Sequence, residues 1–487
     1  MNEEYKFTAN TYQKITECPA SVGPKARNKP KPYLKRWIDL NEAIGDWLYN
    51  DATSEEASIK KARKIYSENS DSIQTKILDD LFEVFRTIFP KTKNLRMSKN
   101  YPPIPRSEIK DLTEGDRIIL SSWVQFEARS KDSEKKEVIK LRTANSDALS
   151  ELDLAILSLQ RDEDETNLEI NVTKGSVEEL PDVENAKEIV ASAFLNIENY
   201  LNNDKNETRP GTWCSRCDRP SLCGQYKELD GKKITAKDRS FYISKTDLLK
   251  LNTCNRQLAW RVLYGLPKQR KEDTFHSSYG EKFHTYAEKI INEFQEPLSE
   301  LGIENFSKAI LEEEEDIREK LLAAYSSLVE NMSSYQNVEL KQTEFALGFS
   351  LLINDPSQSG GKVAFTYMGM ADIVGRIENN IPVVVELKTG KEREDHKYEA
   401  DLYALGASKA TKEEKVIILH VYMESDSSRL VERVYGQKEI SKAKEYFVAK
   451  SLEISNWNPN STLSPSYKTG SWCEYCNYET RCLENRN

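Results

Sequence analysis

Asp372 closes the stretch GMAD, and Glu386 and Lys388 stand two residues apart in VVVELKTG. Side chains alternate along a strand, so Glu386 and Lys388 share a face, and a neighbouring strand can bring Asp372 to it. Two carboxylates at one spot bind a hard divalent cation such as magnesium or manganese, which can activate water and neutralise a phosphate. The lysine can orient that water and stabilise developing charge. A plain surface Glu-Lys pair is the competing reading. Against it stands position, because Lys388 follows three valines and should lie at the end of a buried strand, where a charge needs a reason to be.

A second pattern lies in the cysteines. GTWCSRCDRPSLCG and GSWCEYCNYETRCLEN repeat Cys-x2-Cys-x5-Cys, so that Cys214, Cys217 and Cys223 map onto Cys473, Cys476 and Cys482. The chain has 8 cysteines, and the remaining two, Cys18 and Cys254, each stand late in a short helix-like segment, FTANTYQKITECP and FYISKTDLLKLNTC. Two sets of four result, Cys18 with the first triplet and Cys254 with the second. Four thiolates suit zinc as well as iron, and spacing alone does not rank them. Disulfide staples fit poorly with a reducing compartment.

The elements that must position these residues recur in the same way. In the second half a helical region over Gly280 to Ala324 precedes strand-like stretches VELKQTEFALGFSLL, FTYMGMADIVGRI and IPVVVELKTG, then a helix, HKYEADLYALGASKA, and a strand, KVIILHVYM. That order predicts an α/β domain with a central mixed sheet. In the first half DRIILSSWVQFEAR and KEVIKLRTA read as strands, SDALSELDLAILSLQ as a helix and TNLEINVTK as a strand. A further helix leads into each triplet. The polar stretch GKKITAKDRS sets the boundary, giving domains 1–235 and 236–487.

Three other side chains can join the carboxylates. His284 lies at the rim of an apolar helix face with Phe283, Ala287 and Ile291, where a packed histidine is more common than a ligand. Tyr403 follows Glu399 by one turn on the helix after the lysine strand, and Glu344 lies in the first strand. By themselves they describe an amphipathic helix and a strand.

Together, Gly280-x-x-x-His284, Gly369-x-x-Asp372, Glu386-x-Lys388 and the helix with Tyr403 resemble the motifs of RecB-like nucleases in the PD-(D/E)XK superfamily. An early cysteine with a late Cys-x2-Cys-x5-Cys resembles their iron-sulfur branch, which includes the CRISPR-associated adaptation nuclease and the AddB nuclease domain. The resemblance implies two tandem restriction-endonuclease-like domains, each a mixed sheet flanked by helices and closed by a four-cysteine site. It implies that His284, Asp372, Glu386 and the Leu387 carbonyl hold catalytic Mg2+ or Mn2+, with Lys388 and Tyr403 in the chemistry. It further implies 4Fe-4S clusters on Cys254, Cys473, Cys476 and Cys482, and on Cys18, Cys214, Cys217 and Cys223. Glu399 stands where the family usually has Gln. Matching KEVIKLRTA to VVVELKTGK sets Lys140 at Glu386, Arg142 at Lys388, Gln125 near Asp372 and Tyr49 opposite His284, so the first half resembles a copy without the acidic site.

The implied activity is a metal-dependent deoxyribonuclease acting on single strands or free DNA ends, in repair, recombination or CRISPR spacer processing. The alternative is a non-catalytic iron-sulfur subunit that binds DNA or assembles a complex, and a third reading is a zinc-dependent binding module. No GxxxxGK[ST] is present, so a helicase motor, like a CRISPR integrase, would be a separate partner. Net charge is −10, so DNA contact must rest on local patches such as Lys25, Arg27, Lys29, Lys31, Lys35 and Arg36, or else that stretch is a solvated loop. Neither a leader nor a span long enough for a bilayer is evident, which suggests a cytoplasmic protein without a membrane partner.

Overall fold

The computed structural model describes residues 4–22, 32–49, 54–68, 70–89, 95–97, 104–112, 117–130, 136–143, 149–204, 207–211, 213–214, 217, 220–222, 224–235, 238–266, 275–335, 338–356, 360–377, 380–424, 427–457 and 464–484. The chain forms two compact units, Met1–Arg209 with Asn460–Thr462, and Pro210–Pro459 with Leu463–Asn487. Their division falls at Arg209 rather than at 235. The reason is local packing: Cys214 and Tyr226 are buried with Ala346 and Met368 of the second unit, and Ser221 hydrogen-bonds Thr366 at 2.6 Å. Among the described residues, no helix is long and apolar enough to cross a membrane.

The first unit runs β1 (Glu4–Thr8), α1 (Ala9–Glu17), α2 (Pro32–Tyr49), α3 (Glu55–Ser67), α4 (Ser72–Ile88), β2 (Leu95–Met97), β3 (Ile104–Leu112), β4 (Arg117–Val124), β5 (Phe126–Ser130), β6 (Lys136–Arg142), α5 (Glu151–Leu159), β7 (Glu165–Asn171), β8 (Ser176–Glu179) and α6 (Ala186–Asn199). Strands pair in the orders β1-β4-β3 and β2-β5-β6-β7-β8. The pairs β1–β4 and β6–β7 are parallel. Helices α2 to α4 bury Trp47, Phe82 and Phe85 against Phe126 and Ile139, while α5 and α6 pack on β1 and β4 through Ile156 and Phe194.

The second unit runs β9 (Arg239–Ser244), α7 (Lys245–Thr253), α8 (Asn255–Val262), α9 (Phe275–Glu293), α10 (Glu300–Ala309), α11 (Glu315–Met332), β10 (Glu339–Asn354), β11 (Lys362–Ile377), β12 (Ile381–Lys388), α12 (His396–Thr411), β13 (Val416–Glu424), β14 (Ser427–Tyr435), α13 (Gln437–Ser455) and α14 (Glu479–Glu484). The sheet order is β10-β11-β12-β13-β14, with β9 added to β11. Strand β12 is sandwiched between β11 and β13, which explains its unbroken buried run of Pro382 to Leu387. Because β12 and β13 are parallel, the chain must cross over between them, and α12 is that crossover. One sheet face packs on α9 to α11 through Phe283, Phe306 and Tyr325. Aromatic rings of Phe349, Tyr367 and Phe447 meet on the α13 side.

Corresponding positions of the two units follow from these pairings. A parallel strand opens each unit, and a capped nine-residue helix follows at once. Thr8 caps α1 and Ser244 caps α7, each accepting the amide three residues on, and each helix ends with a cysteine whose amide closes the last turn, Cys18 on Lys14 and Cys254 on Lys250. Register sets Thr8 against Ser121 and Ser244 against Met368, and further along Phe126 against Ile139 and Ile373 against Val385. The expected strands and helices around the carboxylates all form; the β13–β14 hairpin and the opening strands β1 and β9 were not read from sequence.

Candidate active site

Asp372 and Glu386 come together where a strand ladder ends. The antiparallel β11–β12 register stops at Ile373 and Val385, so the next residues on each strand, Asp372 and Glu386, sit opposite one another without backbone pairing. On the β11 side the amide of Leu387 is thereby left without a backbone partner, and it donates to Asp372 Oδ2 at 2.6 Å. A buried donor must be satisfied, and here a carboxylate does it. Leu387 itself turns its side chain into the core with Val383 and Val385, which puts Glu386 and Lys388 on the opposite face.

Two lysines converge on Glu386. Lys388 Nζ donates to Glu386 Oε1 at 3.1 Å and lies 2.9 Å from Glu399 Oε2. Lys245 donates to the same Glu386 oxygen, lies 3.0 Å from Glu399 Oε1 and bonds the Met370 carbonyl at 3.1 Å. Sequence reasoning missed Lys245. It is the first residue of α7, and the capping box of Ser244 and Asp247 starts that helix as β9 leaves β11, which aims the lysine along β11.

Glu386 is 1% exposed, and its Oε2 is a buried oxygen without a hydrogen-bond partner. Burial pushes its carboxyl up to about 7, with Asp372 and Glu399 adding to the effect and the lysines opposing it. Burial raises Asp372 as well. Glu399 goes the other way: burial would raise it, but Lys245 and Lys388 outweigh that and hold it well below the usual carboxylate range. For Lys388, burial is outweighed by Glu386 and Glu399, which keep the ammonium protonated.

His284 comes from α9, with Nδ1 3.5 Å from Asp372 Oδ1, and burial lowers its imidazole so that it stays neutral. Tyr403 is fully buried and donates to the Met370 carbonyl at 2.5 Å, with its ring under Lys245. It supports the lysine from within the protein and is not among the residues lining the cavity. That cavity, about 650 Å3, is lined by Lys245, His284, Asp372, Glu386, Lys388 and Glu399, with Glu288 and Glu344 at its side. Glu344 follows Asp372 across the β10–β11 register and takes a left-handed φ of 45°, strained for a residue with a side chain. Glu288, half-buried and near Glu344, is raised to about 7 by that partial burial, with Glu344 adding to it.

The donors suit a hard divalent cation in kind: carboxylate oxygens, one of them buried and unsatisfied, beside a neutral imidazole. As folded here, Glu386 faces lysines, and among the described residues no three His, Cys, Asp or Glu side chains gather closely enough to hold a metal ion. The same holds for the cysteines. Burial raises the Cys476 thiol, and Cys254, Cys482 and Cys473 are near enough to add to it, and none of these four is in a disulfide. Cys18 belongs to the first unit, Cys214 and Cys217 to the second, and Cys223 lies outside the described residues.

In the first unit the equivalent positions carry different chemistry. Gln125 Oε1 accepts the Leu141 amide at 2.6 Å, as Asp372 accepts that of Leu387. Lys140 pairs with Asp153 of α5 at 2.6 Å, and Arg142 with Glu169 at 3.0 Å. Tyr49, expected opposite His284, ends α2 with its ring 6.4 Å from that of Phe126. Of the basic stretch, Lys25, Arg27, Lys29 and Lys31 lie outside the described residues, as does the side chain of Lys35. Arg36 is buried and donates to Gln74 at 2.9 Å, so it is no free phosphate contact.

No curated protein matches the chain. Among solved structures, the crystal structure of SSO0001 aligns at 18% identity over 53% of this chain and 93% of its own, with a TM-score of 0.24, too slight a likeness to carry an argument. The family model of the PD-(D/E)XK nuclease superfamily matches residues 242–483, a span that takes in Lys245, His284, Asp372, Glu386, Lys388 and Glu399. Residues 242–483 thus form a domain of the PD-(D/E)XK nuclease superfamily.

Proposed function

We propose that the second unit is a Mg2+- or Mn2+-dependent deoxyribonuclease and that the first is a duplicate of it that has lost the acidic site. The observation that carries the reading is Asp372 beside Glu386 at the end of the β11–β12 ladder, both lining a cavity, with one buried Glu386 oxygen left without a hydrogen-bond partner. Asp372, Glu386, His284 and the Leu387 carbonyl would hold the cation, which supplies a charge to activate water and neutralise the scissile phosphate. Lys388 stays protonated against Glu399 and stabilises the charge that develops on the phosphate. Tyr403 keeps Lys245 in place from below. DNA is the substrate, single-stranded or with free ends, and repair, recombination or CRISPR spacer processing is the setting.

The first unit offers Gln125, Lys140 and Arg142 at the corresponding positions, and two cations there would repel a metal ion. Its role is to bind DNA or a partner. We assign the second-unit thiols Cys254, Cys473, Cys476 and Cys482 to a 4Fe-4S cluster, supported by their mutual proximity and by the matching cysteine after α1 and α7. The test is cleavage of end-labelled single- and double-stranded DNA by the purified chain with and without Mn2+. Metal-dependent products are expected, and binding without cleavage would favour the non-catalytic subunit instead.

A further inference from the structure

We infer that Lys245 and Glu399 are positioning residues that set the charge balance around Glu386, leaving one of its oxygens free for a divalent cation while Lys388 stays in register. The inference rests on the metal-dependent nuclease reading. Lys388 bridges Glu386 at 3.1 Å and Glu399 at 2.9 Å, and Lys245 bridges the same two carboxylates from the other side. The result is a buried, alternating set of two ammonium and two carboxylate groups. Both lysines meet Glu386 on Oε1, and Oε2 is buried without a hydrogen-bond partner.

Each member matters for a different reason. Without the negative charge of Glu399, both ammonium groups would lean on Glu386 alone, and a cation approaching its free oxygen would meet an excess of positive charge. Lys245 in turn offsets Glu399, which is only 4% exposed and otherwise a costly buried anion. Space for this arrangement is built into β11. A Cβ on Gly369 would lie 2.9 Å from the Tyr403 ring and 3.2 Å from Lys245 Cβ, tighter than the two side chains can accept.

In the first unit the second lysine, the glycine and the acid of Glu386 are all replaced, while an acid is kept in the place of Glu399. By register Ala9 stands for Lys245 and Ser122 for Gly369, and Asp153 of α5, opposite Lys140, takes the part of Glu399. Ser122 and Lys140 both bond Asp153. The second lysine and the glycine that admits it occur together, on the unit with the acidic pair.

The experiment uses the full chain and two readouts, Mn2+ affinity by calorimetry without DNA and kcat and KM for DNA cleavage. Glu399→Gln should weaken Mn2+ binding about ten-fold or more, the scale of changes behind a metal ligand. Lys245→Met should leave Mn2+ binding no weaker and lower kcat with little change in KM. The charge-neutral double variant Lys245→Met, Glu399→Gln should bind Mn2+ more tightly than Glu399→Gln, which a merely structural role would not produce because two defects would add. Circular dichroism checks each fold; if Glu399→Gln alone is unfolded, the double variant is compared with Lys245→Met, than which it should bind Mn2+ more weakly, and equal affinity of the two overturns the inference. Wild-type Mn2+ affinity in Glu399→Gln, or a double variant weaker than it, overturns the inference while leaving the nuclease reading intact. A wild-type chain that neither binds Mn2+ nor cleaves removes the reading and the inference together.

Discussion

Asp372 accepts the backbone N–H of Leu387 at 2.6 Å, so the residue expected to hold metal also closes the end of a strand ladder. Gln125 makes the same bond to Leu141 in the first unit. The backbone need is shared, and only the charge differs.

This separates structure from chemistry in a single residue. Asp372→Asn keeps an oxygen for the Leu387 amide and should lose cleavage with little loss of stability. Asp372→Ala leaves that amide unsatisfied and should cost about 1–3 kcal/mol more. Urea denaturation of both variants distinguishes them; equal stabilities would mean that the bond contributes nothing.

Gln125→Ala should carry the same penalty, about 1–3 kcal/mol, in the first unit while the cleavage rate per folded molecule is unchanged. A drop in kcat for this variant would show that the first unit contributes to the chemistry.

Gly369→Ala introduces a Cβ against the Tyr403 ring and Lys245, and should lower kcat by displacing the lysine. Tyr403→Phe leaves the Met370 carbonyl to Lys245 alone and should act in the same direction more weakly. Activity at wild-type level in both variants would mean that Lys245 needs no support from below.

Much of this site was legible beforehand because its signals are local. Glu386-x-Lys388 after a valine run fixes a shared face, and the order of helix and strand around it follows from periodicity. Lys245 was not legible. In SKTDLLK it reads as an ordinary polar residue at a helix start, and it reaches Glu386, 141 residues away in sequence, only through the parallel pairing of β9 with β11. Tyr403 enters the chemistry only through the family resemblance, since one turn after Glu399 it reads as plain amphipathic helix, and burial gives it a supporting place. The boundary at 235 followed a polar stretch, whereas burial of Cys214 and Tyr226 against β10 and β11 draws 210–235 into the second unit.

His396 sets a pH dependence of stability. It is buried, bonded to Tyr422 at 2.8 Å, and burial, aided by Lys388, lowers its imidazole to about 4. The unfolded chain takes up a proton near pH 6.5 and the folded one only near 4, so this contribution is full above about 6.5 and is lost as pH falls towards 4. Unfolding curves from pH 7.5 to 4 should therefore fall less steeply for His396→Gln than for the wild type. Parallel curves would rule the contribution out.

Metal analysis after anaerobic purification addresses the cysteines. One cubane in the second unit gives about four irons per chain and one in each set about eight. Cys254→Ala should lower both the iron content and the melting temperature. Zinc in place of iron, or a Cys254→Ala chain as stable as its parent, would contradict the assignment.

The central claim is that the acidic pair of the second unit does the cutting. Cleavage of end-labelled DNA in Mn2+ should vanish in the Asp372→Ala, Glu386→Ala double variant while DNA affinity stays near the wild-type value, because removing negative charge does not weaken the attraction of phosphates to basic groups. Residual metal-dependent cleavage by that variant would contradict the claim and move the nuclease elsewhere in the chain.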